Sequence, residues 1–161
     1  MKKSTRYAIF AIVVCAIILG IYSILTKPQP PDQDLIKQQI VTGLDAANAG
    51  STAGLMEIVS ESYKDEAGLS KDEIRARLTE AFSRSHDYRF RVSEPVTVIN
   101  GDTAGSDCTL IAVDKNSGQQ ALSQPMHIDW RREKGRKWLI VPISVWRVTS
   151  TNINLPYDID Q

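Results

Sequence analysis

The chain has little cysteine and no pattern in it. Cys15 and Cys108 are the only two among 161 residues. Cys15 falls inside a long apolar segment and Cys108 far beyond it, so no intramolecular disulfide is expected. There is no Cys/His cluster to hold a structural metal, and neither a metal nor a cofactor is expected. No Asn-x-Ser/Thr sequon occurs, so nothing points to N-glycosylation. The chain also lacks an excess of either charge, with 19 basic against 19 acidic residues. Lys2, Lys3, Arg6 and Lys27 account for four of the basic ones, which leaves residues 28–161 with 15 against 19, a net of −4. An acidic domain of this kind is not a nucleic-acid binder, which needs a basic surface to neutralise phosphates.

Residues 7–25 are nineteen consecutive residues without a charge. As a helix they would be about 28 Å long, close to the roughly 30 Å hydrocarbon thickness of a bilayer. Lys2, Lys3 and Arg6 precede them and Lys27 alone follows closely, an asymmetry that favours a cytoplasmic N-terminus. The apolar run exceeds the length of a signal-peptide core, and no small-x-small cleavage site follows it. Cys15 is preceded by Val13 and Val14 rather than by a small residue, which argues against lipidation. The expectation is an uncleaved signal anchor: residues 1–6 a cytoplasmic tail, 7–25 a single pass through a bacterial inner membrane, and an extracytoplasmic remainder. Residues 26–33 contain Pro28, Pro30 and Pro31 and read as an extended, semi-rigid linker.

The remainder is long enough for one domain with a core. Helical periodicity places Ile36, Ile40, Leu44 and Ala47 on one face of a first helix over residues 34–49. Gly50 suits its C-cap and Ser51 the next N-cap. A short helix over residues 53–60 presents Leu55, Ile58 and Val59. Ser70 and Glu73 form a capping box, followed by a stripe of Ile74, Leu78, Ala81 and Phe82. From Tyr88 the period becomes two. A first strand runs through Tyr88, Phe90 and Val92, is disturbed at Glu94–Pro95, and resumes over Val96–Ile99. Turns are expected at Asn100–Gly101–Asp102, at Lys115–Gly118 and at Glu133–Lys134–Gly135. The order is helices first, then a four-stranded antiparallel meander, hence α+β.

This order resembles the nuclear transport factor 2-like superfamily, the cystatin-like cone. The resemblance rests on residues 40–53, the Val59-Ser60-Glu61-Ser62-Tyr63-Lys64-Asp65 segment, the capped helix from Leu69, Asn100-Gly101-Asp102-Thr103-Ala104, and Glu133-Lys134-Gly135-Arg136-Lys137-Trp138-Leu139-Ile140. It covers residues 34–148 and implies three helices packed on a curved four-stranded sheet, with residues 149–161 as a tail. The superfamily includes isomerases, dehydratases, cyclases, protein-binding modules and membrane scaffolds of secretion systems, so fold alone does not choose a function.

An enzyme of this type needs a general base and an oxyanion donor inside the cone. Asp45 on the first helix and Tyr63 are the candidates for catalysis or ligand binding; an exposed Asp and a packed Tyr are the simpler reading. His127 and Asp129 share one face of a strand, but Met126, Ile128 and Trp130 take the other, so the pair is expected to point away from any pocket. The cations from Arg131 to Lys137 read as a solvated hairpin tip or a contact for anionic partners. Residues 139–146 are apolar at nearly every position, which leaves Leu139, Val141 and Ile143 as interface candidates, covered by the tail or by another subunit. The expectation is non-catalytic: a membrane-tethered domain for protein interaction or assembly, partnered through the sheet face by a second copy or another protein. A pocket enzyme or small-ligand binder is the alternative. The two differ in what lines the concave pocket: polar groups converging in an open cavity, or Leu, Phe and Trp filling it.

Overall fold

The structure is a computed structural model that describes residues 13, 16, 30–84, 87–137 and 141–152. Helix α1 spans Asp32–Asn48, α2 Thr52–Ile58 and α3 Lys71–Arg84. The expected anchor at residues 7–25 and most of the linker lie outside the described residues, Val13, Ala16 and Pro30 onward excepted. Among the described residues no helix is long and apolar enough to cross a membrane.

Ile36 and Ile40, one turn apart, are 0% and 7% exposed and anchor α1 to the core. The next buried position is Gly43, not the expected Leu44, which is half-buried. A Cβ on Gly43 would lie 2.6 Å from Ile58 Cδ1, so the missing side chain is what lets α1 and α2 approach. Gly50 has φ +64°, the left-handed conformation suited to a helix end. Ser51 then accepts a hydrogen bond from Gly54 N at 3.1 Å, capping α2 as expected. At α3 the Ser70 N–H and O–H both donate to Glu73 Oε2, each at 2.7 Å. Ile74, Leu78 and Phe82 are half-buried, whereas Ala81, expected in the same stripe, is exposed.

The sheet is antiparallel and curled, with the helices packed on it. Among the described residues it has five strands rather than four: β1 (Tyr88–Val92), β2 (Val96–Asn100), β3 (Thr103–Asp114), β4 (Gln120–Lys137) and β5 (Val141–Asn152). The extra strand arises because Ser93–Glu94–Pro95 divides the expected first strand, and β1 and β2 pair with successive stretches of β3. Pro95 has no N–H to give the ladder. Ser93 softens the break: its N–H donates to Thr109 O at 2.9 Å and its Oγ accepts from Thr109 N at 2.8 Å. The order continues β3–β4–β5. Beyond β5, Ser60 N donates to Val148 O at 2.8 Å and Lys64 N to Thr149 O at 2.9 Å, so the segment after α2 covers that edge.

Two expectations about the last hairpin are corrected. Glu133–Lys134–Gly135 is not a turn, because β4 runs on to Lys137 and pairs with β5 throughout. Gly135 faces Ile143 across the ladder, and a Cβ there would be 3.1 Å from both Val145 methyls, so this glycine makes room for a neighbouring strand's side chains. The final strand is Val141–Asn152, so residues 149–152 of the expected tail are strand. Trp138, Leu139 and Ile140 lie outside the described residues, as does the side chain of Val141; Ile143 is half-buried.

The concave side is filled. Trp130 and Trp146 are each 1% exposed and pack with Ile36, Met56, Ile128 and Val148. The Trp130 indole N–H donates to Ser106 Oγ at 3.0 Å, and that hydroxyl, fully buried, also meets Thr97 Oγ1 at 2.9 Å.

Candidate functional site

The sequence candidates do not form one site. Asp45 is exposed on α1. Tyr63 is 5% exposed, and its hydroxyl hydrogen-bonds Thr151 Oγ1 at 2.7 Å. Burial raises the Tyr63 pKa above its ordinary value, more than the Thr151 hydrogen bond lowers it. Neither residue lines the main cleft described below.

His127 and Asp129 do lie opposite Ile128 and Trp130, on the outward face of the sheet. Asp107, on β3 directly opposite His127, is the partner that strand periodicity alone did not single out. His127 Nδ1 is 2.6 Å from Asp107 Oδ1 and Nε2 is 3.4 Å from Asp129 Oδ1. The ring lies over Gly105, where a Cβ would be 3.1 Å from His127 Cε1. The Asp107 hydrogen bond, supported by the two carboxylate charges and opposed by partial burial, raises the His127 pKa above 6.5.

A second cluster ties the start of the domain to the last hairpin. Asp32 Oδ2 accepts from Arg132 Nη2 at 2.6 Å, and Asp32 Oδ1 accepts from Trp146 Nε1 at 3.1 Å. The guanidinium lies 4.9 Å from the Trp146 ring centroid. Arg132 Nε is 3.3 Å from Asp102 Oδ1 but makes no hydrogen bond there. Arg132, read in the sequence as part of a solvated tip, is thus a structural residue.

A recess of about 240 Å³ lies beside Asp107 and His127, and a larger open cleft lies elsewhere. A cleft of about 740 Å³ is bounded by α1, α2, the start of α3 and the β4–β5 hairpin. Gln38, Gln39 and Thr42 come from α1, and Glu57 and Glu61 from α2 and the segment after it. Lys71, Glu133, Lys134 and Arg147 complete the charged lining. Lys71, the first residue of α3, is 8% exposed. Its ammonium donates to Val59 O and to Glu61 Oε1, each at 2.7 Å. Glu133 accepts from Ser60 Oγ and has Arg147 Nε at 3.7 Å, while Arg147 Nη1 donates to Glu57 O. The Lys71 hydrogen bond and charge hold Glu61 below the usual carboxylate range. Nothing in the sequence singles out Lys71, which lies between Ser70 and Glu73 of the capping box. Only the fold shows that it turns inward to a carbonyl left over where α2 ends. Among the described residues no group of three or more His, Cys, Asp or Glu side chains is placed to hold a metal.

The geometry matches solved structures of one fold. A protein of unknown function with a cystatin-like fold from Nostoc punctiforme superposes with a TM-score of 0.64 at 14% identity, over 80% of this chain and 93% of that one. A nuclear transport factor 2-like protein of unknown function from Pseudomonas putida gives 0.61 at 15% identity, over 78% and 87%. One from Novosphingobium aromaticivorans gives 0.57 at 16%, over 86% of each chain. The domain therefore has the nuclear transport factor 2-like, cystatin-like fold. No protein-family model matches the sequence, and no curated protein matches it.

Proposed function

We propose that the chain is a membrane-tethered, extracytoplasmic binding module, and that the charged cleft is where it binds. One observation carries the reading: the cone's interior is packed with Trp130 and Trp146, while an open cleft beside it gathers Lys71, Glu61, Glu133 and Arg147. By the test that separates a scaffold from a ligand binder, the Trp-filled concave side favours interaction or assembly; the cleft beside it, outside that test, offers a place for a bound solute or peptide, with different residues from Asp45 and Tyr63. Turnover is a poorer fit. A tuned base needs a dry site and an aimed donor. Here Glu57 and Glu61 are exposed and Glu133 already accepts a hydrogen bond. Tethering follows from residues 7–25 and the Lys2, Lys3 and Arg6 flank.

Complementation of a deletion strain tests the cleft. Thr42→Arg, on an exposed position of α1, fills the cleft and should abolish complementation while the protein still accumulates folded. Asp45→Ala and His127→Ala should complement fully and cost no more than about 1 kcal/mol of stability. A complementing Thr42→Arg would overturn the cleft reading. Alkaline extraction tests the tether: the chain should stay with membranes until detergent is added, and recovery of soluble protein beginning near Lys27 would sink it.

A further inference from the structure

We infer that the cleft's ligand carries a carboxylate that takes the place of Glu61 on Lys71. The inference rests on the cleft being the binding site and names the chemistry it selects.

Lys71 is an ammonium with only 9% of its side chain exposed. A charge so withdrawn from water needs a compensating anion and hydrogen-bond acceptors. One acceptor is fixed: Val59 O, a backbone carbonyl at the end of α2. The anion is not fixed in the same way. Glu61 supplies it at 2.7 Å, yet 90% of the Glu61 side chain is exposed. Its carboxylate reaches Lys71 from the solvent side, and little packing would be lost if it swung away. Exchanging such a group for another carboxylate costs little, because the ammonium stays paired and Glu61 gives up no packing. The ammonium would not tolerate leaving its anion unreplaced, so an incoming neutral group is a poor exchange and an incoming carboxylate a balanced one.

The rest of the lining agrees. With Glu61 turned out, Lys71, Lys134 and Arg147 face Glu57 and Glu133, and Glu133 is already occupied by Ser60 and flanked by Arg147. The cleft is then cationic around Lys71, within a domain that is acidic as a whole. Gln38, Gln39 and Thr42, which α1 adds to the lining, offer neutral donors and acceptors for the rest of the ligand. Glu61 acts as a built-in competitor that keeps Lys71 paired when the cleft is empty.

The test uses the full chain in lipid nanodiscs with isotopically labelled lysine, and follows the Lys71 ammonium signal by NMR. Succinate, its neutral diamide and inorganic phosphate are titrated at constant ionic strength. Succinate should shift the Lys71 signal saturably. Glu61→Gln, which removes the competing charge, should tighten succinate binding by about threefold or more, and Lys71→Gln should weaken it by about tenfold. Should Lys71→Gln fail to fold, the Glu61→Gln comparison decides alone. A diamide that binds the cleft as tightly as succinate, or phosphate that binds while succinate does not, would overturn the carboxylate assignment and leave the cleft reading standing. Absence of any succinate shift in both wild type and Glu61→Gln would also overturn it.

Discussion

Asn48, the last residue of α1, pairs with Phe90 of β1 as a neighbouring strand would. Its Nδ2 donates to Phe90 O at 3.0 Å and its Oδ1 accepts from Phe90 N at 2.7 Å. One side-chain amide thus satisfies both backbone groups of a residue on the outer side of the sheet's edge strand. In doing so it fixes where α1 ends over the sheet.

Asn48→Ala removes both bonds and leaves two partly buried backbone groups without partners. The expected loss is about 2 kcal/mol. Asn48→Asp keeps the acceptor but sets a charge against the Phe90 carbonyl, so it should not restore stability. Urea unfolding of the three proteins at one pH measures both effects.

Gly43 governs the contact of α1 with α2. Gly43→Ala gains up to about 1 kcal/mol of helix propensity. Against that, its Cβ falls 2.6 Å from Ile58 Cδ1, the end of a side chain that can turn aside. The net change should be within about 1 kcal/mol. Gly43→Leu cannot be absorbed by one rotamer and should cost about 2–3 kcal/mol. Thermal unfolding should separate the two variants clearly; equal losses would mean that the helices are free to move apart.

His127 predicts a pH dependence with a definite sign. Its folded pKa is raised above 6.5, first by the Asp107 hydrogen bond and then by the Asp107 and Asp129 charges. Asp107 from β3 and Asp129 from its own strand are the charged groups around it, and β5 sets neutral Asn152 opposite. Stabilisation by protonated His127 is therefore fully present below pH 6.5 and is lost as the pH rises through the raised value. The side chain is 43% exposed, so solvent screens the effect and it should be small. The gap in urea midpoint between wild type and His127→Gln should be larger near about pH 5.5 than near about pH 9. NMR titration of Asp107→Asn should show the His127 pKa moving down.

Asp32 holds Arg132 and Trp146 together with its two oxygens. Asp32→Ala should cost about 1–2 kcal/mol, the value of a partly screened charged hydrogen bond plus a neutral one. Asp32→Asn keeps an acceptor for the indole and should lose less. If both variants unfold with wild-type midpoints, the clamp contributes nothing to stability.

What was legible in the sequence was whatever depends on short-range geometry. Ile36 and Ile40 recur at helical spacing, Ser51 can cap only the helix that follows it, and Ile128 and Trp130 sit at strand-period positions. Each of these is decided within a few residues. The errors occurred where a residue's role depends on a distant neighbour. Gly135 in a charged run has the composition of a turn; only Ile143 and Val145 on the next strand make it a gap to be filled. Leu44 outranks Gly43 on hydrophobicity, yet Ile58 selects the glycine. The same holds for the site. Lys71 is not singled out in the sequence because its partners, the Val59 carbonyl and Glu61, lie ten and more residues earlier in the chain. Asp45 drew attention through its chemistry alone, and its surroundings do not support it.

The strip after α2 that lies along β5 has a consequence for how this protein is made. Val59 and Ser60 are synthesised early, but the strand edge they need contains Val148 and Thr149, almost the last residues described. Pairing across so long a loop is slow, because chain entropy is surrendered before the contact repays it. The emerging polypeptide therefore cannot close this edge of the fold until β5 has appeared. If the domain is exported, as proposed above, the delay would keep the chain export-competent until β5 has crossed the membrane.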